Sequence, residues 1–184
     1  SGSSKGIGKN IANLLLKEGS NVVINGRNKI TLTQTFKELN SEFNGNLVAI
    51  PGDVSKSSVV NKIRKTTIKK WGKIDGIVAN ASTLKNLKNI DKVNKASGWL
   101  MKYNFEIVYN LVDNLTPYIK SKESSIVAIG SIAGIEDIGA PIYYSVYKSS
   151  LSAYVKTMSR KLSKKNIRIN LISPGNILFS KGNW

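Results

Sequence analysis

The most regular feature of the chain is an alternation of short apolar runs with longer amphipathic stretches. Runs this short, rich in Val and Ile and apolar almost throughout, are typical of parallel strands that are covered on both faces. The runs lie at 21–25, 47–50, 74–79, 125–130 and 167–172. Between them, apolar positions at helical spacing predict helices at about 7–18, 29–43, 56–71, 92–120 and 142–164.

This alternation of helix and strand continues from one end of the chain to the other. It predicts an α/β fold, a Rossmann-type doubly wound parallel sheet in a three-layer α/β/α arrangement. No internal repeat, low-complexity segment or linker interrupts the pattern. We therefore interpret residues 1–184 as a single domain.

Composition excludes several classes of function. The chain of 184 residues contains no Cys and no His. Disulfide scaffolds, thiolate nucleophiles, Cys/His metal sites and Ser-His-Asp triads are therefore excluded, and we expect no metal. No run of about 18 apolar residues is present, so we expect no membrane-spanning helix. Because the chain starts at Ser1 inside a glycine-rich loop, we expect it to be incomplete.

The chain is strongly basic, with 28 Lys and Arg against 11 Asp and Glu, a formal charge of +17. The lysines are scattered over all segments, and no basic stripe interleaved with aromatic residues is present. We therefore favour a solvated basic surface and expect neither nucleic acid nor membrane as a partner. The alternative is a functional site for a polyanion, including an acidic carrier protein.

Three glycines, Gly2, Gly6 and Gly8, precede the first predicted helix. A pyrophosphate approaches backbone N–H groups most closely where side chains are missing, and a helix N-terminus favours its negative charge. With a helix and then a strand following, the pattern predicts a dinucleotide-binding loop. A flexible or tagged N-terminus is the alternative.

The next predicted strand ends at Gly26 and Arg27, where NAD-dependent proteins usually carry an acidic residue. No acidic residue lies between 19 and 37. A guanidinium suits a 2′-phosphate, and Lys5 in the glycine loop can reach the same group. NADP(H) is therefore favoured over NAD(H), and the alternative is that Arg27 and Lys5 are two ordinary surface cations.

A possible proton-transfer pair lies in the last predicted helix. Tyr144 and Lys148 are four residues apart and therefore share one face. A neighbouring ammonium stabilises a phenolate and lowers its pKa. Ser131 follows a predicted strand, at the sheet edge where ligands bind. Tyr143 and Tyr147 form a competing pair with the same spacing, which lacks the cation.

Taken together, these motifs resemble those of the short-chain dehydrogenase/reductase family over essentially the whole chain. The glycine spacing, Asp53-Val54, the segment 79–82, Asn104, the interval of thirteen residues from Ser131 to Tyr144, and Pro174-Gly175 all match in order. Segment 79–82 departs from the family motif Asn-Asn-Ala-Gly at Ala79 and Ser82, and Ser adopts a positive φ less readily than Gly.

The resemblance implies a role for each catalytic candidate. Tyr144 would donate a proton to a carbonyl oxygen, which Ser131 would hydrogen-bond, and Lys148 would lower the Tyr144 pKa and bind the nicotinamide ribose. Asn104 would interrupt its helix and hold a water that connects Lys148 to solvent. Alternatively, Asn104 is an exposed helical residue and Ser131 an ordinary turn hydroxyl.

The resemblance also implies a cofactor-binding set. It comprises Gly2, Ser4, Lys5, Gly6, Ile7, Gly8, Arg27, Asp53, Val54, Asn80, Tyr144, Lys148, Pro174, Gly175 and Ile177. Two of these residues have other interpretations. Asp53 could cap the helix that begins near Ser55, and Asn80 could serve the structure of the sheet instead of an adenine pocket.

The expected function is NADPH-dependent reduction of a small-molecule or carrier-bound carbonyl, with a 3-oxoacyl thioester as one substrate. The alternatives are a sugar, steroid or small-alcohol dehydrogenase of the family, or a non-catalytic dinucleotide-binding protein. Relative to the family, we expect the first strand and the C-terminal helix and strand to be lacking. We also expect a cytoplasmic homotetramer, because apolar residues cover more than one face of the helices at 96–120 and 142–164; packing against the sheet is the alternative.

Overall fold

The computed structural model of the chain describes residues 1–83, 98–120 and 123–178. The strands of this part are β1 (Val22–Gly26), β2 (Leu47–Pro51), β3 (Gly76–Ala79), β4 (Ser125–Ile129) and β5 (Arg168–Ile172). Its longer helices are α1 (Gly6–Lys17), α2 (Lys29–Glu42), α3 (Ser57–Trp71), α4 (Ile107–Leu115) and α5 (Ile142–Ser163). The predicted elements are confirmed with small shifts of their ends, except the helix at 92–120. Its residues 92–97 lie outside the described part.

All the strand pairs are parallel, as the apolar runs predict. β1 pairs with β2, and β3, β4 and β5 form a second sheet in that order. Each pair of consecutive strands within a sheet is joined through a helix, as parallel strands require. The predicted parallel α/β architecture is therefore confirmed for the described residues, with its strands divided between two sheets.

Two apolar cores hold these elements together, and the larger one takes in Ile50 of β2, with Val23 and Val48 packed against it. α1 and α2 bury Ala12, Leu16 and Leu32 against β1, whose Ile24 is fully buried. The larger core joins α3, α4 and α5 to β3, β4 and β5. It contains most of the apolar helical residues on which the assembly prediction was based, namely Val108, Leu111, Leu115, Leu151, Val155 and Met158. For those six residues, packing within the chain is the correct interpretation.

A cavity of about 620 Å³ separates β1 from β3, which do not pair with each other. Its walls include Ile11 and Leu15 of α1 and Leu111 and Leu115 of α4. This is the central position that the family resemblance assigns to a first strand. Among the described residues, no helix is both long enough and apolar enough to cross a membrane.

The segments that follow the strands meet at one edge of the molecule, because all the strands point the same way. These segments begin at Arg27, Gly52, Asn80, Gly130 and Ser173. Every candidate site residue outside the glycine loop and the helices lies in one of them. The fold thus brings together motifs that are far apart in the chain.

Candidate active site

The glycine loop has the backbone that its glycines allow. Gly2 and Gly6 adopt positive φ values of 62° and 55°, and α1 begins at Gly6. A Cβ atom on Gly8 would lie 2.5 Å from both the Gly2 carbonyl oxygen and Asn80 Nδ2. Any side chain at position 8 would therefore push the loop away from its support.

Hydrogen bonds attach this loop to both sheets. The Ser3 N–H donates to the Asn25 carbonyl of β1 at 2.8 Å, and the Asn25 N–H donates to Ser3 Oγ at 2.9 Å. On the other side, Asn80 Nδ2 donates to the carbonyl oxygens of Ser1 and Gly2 at 3.0 and 3.1 Å. These contacts support a structural role for Asn80. They contradict the alternative that the N-terminus is flexible.

The loop fits the pyrophosphate of a dinucleotide. Lys5 precedes α1 in an extended conformation, and its side chain makes no capping hydrogen bond. The first N–H groups of this twelve-residue helix therefore remain available to an anion. Ser4 and Ile7 flank them, and Gly26 lies close enough to Ser4 that a Cβ would come within 2.9 Å of its hydroxyl.

A second group of polar residues lies where β1 and β2 end. Arg27 is exposed, and its guanidinium carbon lies 5.2 Å from the centre of the Tyr103 ring. The Tyr103 hydroxyl donates to Asp53 Oδ2 at 2.9 Å, and the Ser55 N–H donates to Asp53 Oδ1 at 2.9 Å. Val54 is buried beside them.

Asp53 is not the cap of α3, because Lys56 occupies that position. Partial burial acts to raise the pKa of its carboxyl group. The hydrogen bonds from Ser55 and Tyr103, together with the charge of Arg27, outweigh this and hold the pKa below its ordinary value. Tyr103 is not among the residues that the sequence predicts for the site, and its one signal is its position directly before Asn104.

Asn104 lies in a π-helical turn, Lys102–Glu106, that interrupts the predicted helix before α4. Its side chain is fully buried, so the interpretation as an exposed helical residue is wrong. Its Nδ2 donates to the carbonyl oxygens of Leu100 at 3.1 Å and Thr83 at 3.2 Å. Such turns occur frequently at functional sites.

Ser82, one of the two departures from the family motif, contacts Asn104 directly. Its hydroxyl donates to Asn104 Oδ1 at 3.0 Å. Among the described non-glycine residues, only Asn166 has a positive φ, so Ser82 is unstrained. Ser82 thus gives the buried Asn104 amide a hydrogen-bond partner without backbone strain.

Ser131 starts a short 3₁₀ turn, Ile132–Gly134, that follows β4 and packs against α5. Its hydroxyl oxygen accepts from the Ala133 N–H at 3.2 Å, and Ser131 lies close enough to Tyr144 to act on the pKa of the phenol. Gly134 permits the approach, since a Cβ there would lie 2.6 Å from the carbonyl carbon of Lys148. Ser131 is therefore both a turn hydroxyl and a neighbour of the candidate acid.

Tyr144 and Lys148 point inward on α5, being 7% and 3% exposed. Lys148 Nζ donates to the Ile129 carbonyl at 3.1 Å and lies 5.8 Å from the centre of the Tyr144 ring. The competing residues Tyr143 and Tyr147 stack on each other with centroids 6.4 Å apart and are half-buried. The structure brings Tyr144, not Tyr143, to Ser131.

The expectation that Lys148 lowers the pKa of Tyr144 is wrong for this structure. Burial raises the pKa of the phenol, and the hydrogen bond with Ser131 opposes this only in part. The Lys148 ammonium is directed to the Ile129 carbonyl. A raised pKa keeps the phenol protonated at neutral pH, which is the form that can donate a proton.

The remaining cofactor candidates follow β5. The Pro174 carbonyl accepts from the Ile132 N–H at 3.0 Å, which joins this segment to the turn after Ser131. Gly175 and Ile177 are exposed. Pro174 is thus placed beside Ser131, and Gly175 and Ile177 extend from the same edge without a described contact to Tyr144.

Burial lowers the pKa of Lys148 from its ordinary 10.5 to about 8. Between these values the unfolded chain binds a proton that the folded chain lacks, so folding stability rises with pH. We expect this residue to add about 2–3 kcal/mol of stability between about pH 8 and pH 10. Urea unfolding of the parent chain and of Lys148→Met at pH 8 and pH 10 isolates the contribution of Lys148 to this pH dependence. An equal pH dependence in the two chains would contradict the prediction.

A sequence profile of the short chain dehydrogenase family matches residues 1–182. Among curated relatives, the 3-oxoacyl-[acyl-carrier-protein] reductase FabG of Chlamydia muridarum is 29% identical over 175 residues. That match covers 95% of this chain and 71% of the relative. The FabG of Chlamydia trachomatis is 30% identical over 176 residues, with the same coverage.

Solved structures match as well. The L-sorbose reductase of Gluconobacter frateurii, complexed with NADPH and L-sorbose, is 27% identical with a TM-score of 0.88, covering 96% of this chain and 68% of that one. A short-chain dehydrogenase/reductase of unknown function from Caenorhabditis elegans, solved with cofactor, is 29% identical with a TM-score of 0.86. The match covers 95% of this chain and 67% of that one.

The fold and the site at its strand ends thus define a dinucleotide-dependent α/β enzyme of the Rossmann type. More particularly, the chain belongs to the short chain dehydrogenase family. It is an NAD(P)-dependent oxidoreductase that acts on CH–OH and C=O groups.

Proposed function

We propose that the protein reduces a carbonyl to an alcohol with NADPH, and that Tyr144 donates the proton. The observation that carries this proposal is the meeting of Tyr144, Ser131 and Lys148 at the end of β4. Tyr144 lies beside Ser131, and Lys148 is buried one helical turn away. This arrangement provides an oxygen-binding hydroxyl, a proton and a nearby cation in one place.

The bound dinucleotide would supply the hydride to the carbonyl carbon. Tyr144 would give its proton to the carbonyl oxygen, while the Ser131 hydroxyl orients that oxygen. Lys148 would exchange its hydrogen bond to Ile129 for a contact with the nicotinamide ribose, and its ammonium would stabilise the phenolate that remains once Tyr144 has given up its proton. Asn104, buried in its π turn, would hold the water that leads from Lys148 to solvent.

The 2′-phosphate of NADPH would be recognised by Arg27 and Lys5. Both side chains are exposed and flank the end of β1. Each charge-assisted contact to a phosphate contributes about 1.5–3 kcal/mol. We therefore expect Arg27→Ala to weaken NADPH binding by about ten- to a hundredfold and NADH binding much less, measured by fluorescence titration. An equal loss for both cofactors would show that Arg27 does not recognise the phosphate.

A 3-oxoacyl thioester is the first substrate candidate, because relatives aligned over 95% of this chain are 3-oxoacyl-[acyl-carrier-protein] reductases. A sugar is the second, because the structurally similar L-sorbose reductase binds L-sorbose. The test is NADPH consumption with acetoacetyl thioesters, ketoses and small ketones. Turnover of ketoses alone would select the second candidate, and dinucleotide binding without any turnover would indicate a non-catalytic protein.

The protein would act as a homotetramer assembled through α4 and α5. Although most apolar residues of these helices are buried within the chain, Tyr109, Ile142 and Val146 remain 47%, 77% and 52% exposed. Covering them in a second copy would remove apolar surface from water. We expect light scattering to give a tetramer at micromolar concentration, and Val146→Lys to shift the equilibrium toward smaller species. A monomeric parent chain would refute this assembly.

A further inference from the structure

Tyr103 links the two residues that are expected to recognise the adenosine end of the dinucleotide. One of its contacts uses the ring, whose centre lies 5.2 Å from the Arg27 guanidinium carbon. The other uses the hydroxyl, which donates to Asp53 Oδ2 at 2.9 Å. These residues follow different strands, and Tyr103 comes from a third element, the π turn before α4.

We propose that Tyr103 is a positioning residue for cofactor selectivity, holding Arg27 in place for an adenosine 2′-phosphate while its hydroxyl fixes the Asp53 carboxylate beside it. The proposal rests on the proposed function, in which Arg27 recognises that phosphate. It assigns to Tyr103 a role that does not involve the reacting atoms.

Arg27 depends on Tyr103 because little else restrains it. Its side chain is exposed, and the ion pairs of the described residues are Lys9–Glu38 and Lys73–Asp75, neither of which includes it. A long, mobile side chain loses conformational entropy when it binds a ligand, and a side chain held in advance loses less. The aromatic ring provides this restraint through a cation–π contact without neutralising the charge.

Asp53 depends on Tyr103 for its orientation. The Ser55 N–H occupies Oδ1 at 2.9 Å, and the Tyr103 hydroxyl occupies Oδ2. With both oxygens engaged, the orientation of the carboxylate is fixed by these two hydrogen bonds. A phenylalanine at position 103 would keep the ring beneath Arg27 and release Oδ2, so the two functions of Tyr103 are separable.

The π turn fixes Tyr103 relative to the catalytic residues. Asn104, the next residue, is anchored to Leu100 and Thr83 by its buried amide. Trp99 packs against the Tyr103 ring with centroids 5.0 Å apart, and Lys102 lies 5.8 Å from the ring centre. The ring therefore rests on an ordered support, and Lys102 adds a second cation near the same position.

The test compares Tyr103→Leu with Tyr103→Phe by titration of NADPH and NADH into the chain. Exposed cation–π contacts correspond to about a two- to fivefold change in affinity. We expect Tyr103→Leu to reduce the NADPH-to-NADH affinity ratio by that factor, and Tyr103→Phe to preserve the ratio. Tyr118→Leu is the matched control, because the Arg64 guanidinium carbon lies 4.1 Å from the centre of the Tyr118 ring and Tyr118 lies away from the carboxyl ends of the strands. This variant should leave the NADPH-to-NADH affinity ratio unchanged.

A double-mutant cycle with Arg27→Ala separates the positioning of Arg27 by Tyr103 from a general loss of structure in the variant. In the Arg27→Ala background, Tyr103→Leu should no longer alter the ratio. An unchanged ratio in Tyr103→Leu, or an equal change with and without Arg27, would overturn the inference while leaving the proposed function intact. A parent chain that binds neither dinucleotide would instead overturn the proposed function. If Tyr103→Leu does not fold, Tyr103→Met is judged by the same criteria.

Discussion

Replacing Tyr144 by Phe should lower the rate of carbonyl reduction by at least a hundredfold, and by up to about ten-thousandfold. The substitution removes one hydroxyl from a buried side chain, so the ring continues to pack on α5. What is lost is the proton donor and its interaction with Ser131. The measurement is kcat for NADPH oxidation with the best carbonyl substrate.

Tyr143→Phe is the matched control for this experiment. Tyr143 is the preceding residue of α5, carries the same hydroxyl, and stacks on Tyr147 away from Ser131. We expect it to keep nearly full activity, and both variants to bind NADPH as the parent chain does. A Tyr144→Phe protein with nearly full activity would overturn the mechanism and direct attention to Tyr143 or Tyr147.

The second large effect is expected at Gly134, where Ala should destabilise the fold. A Cβ there would lie 2.6 Å from the Lys148 carbonyl carbon and 2.7 Å from the Ser149 nitrogen. Both atoms belong to the backbone of α5, so the helix or the turn must move. We expect a loss of about 2–3 kcal/mol and a Tm lower by roughly 5–10 °C, measured by thermal unfolding.

Gly98→Ala provides the comparison. No atom lies within 4 Å of the added Cβ, and the residue is helical without a positive φ. Ala is the better helix former, so this variant should be neutral or slightly more stable. If both substitutions had the same effect, the close packing of Gly134 on α5 would not be what stabilises the turn.

The elements could be predicted because each is determined by local pattern. The apolar run at 125–129 and the helical spacing that ends at Gly72 are visible without any knowledge of neighbours. The pairing of Tyr144 with Ser131 could also be predicted, since helical geometry and strand direction place them together. Helical spacing and the direction of the parallel strands are therefore enough to predict that Tyr144 and Ser131 lie together.

What could not be predicted depends on burial and on contacts between distant segments. The family resemblance predicts that Asn104 interrupts its helix, but no local pattern signals the π turn at 102–106 or the bonds of its amide to Leu100 and Thr83. The spacing of Tyr144 and Lys148 indicates that they are neighbours, but their desolvation decides the direction of the Tyr144 pKa. Tyr103 was missed for the same reason, because its partners lie 50 residues or more away.

The attachment of the glycine loop to both sheets has a mechanical consequence. β1 and β3 share no backbone hydrogen bond, and Ser3 and Asn80 hold the loop between them. The loop thus connects β1 with the segment after β3 by hydrogen bonds, in addition to the contact that Ile50 of β2 makes in the larger core. A ligand bound at this loop stabilises the native state by its binding free energy, and both sheets share that gain. Amide protons of β2 and β5 should therefore become protected together, although no residue of either strand need touch the ligand.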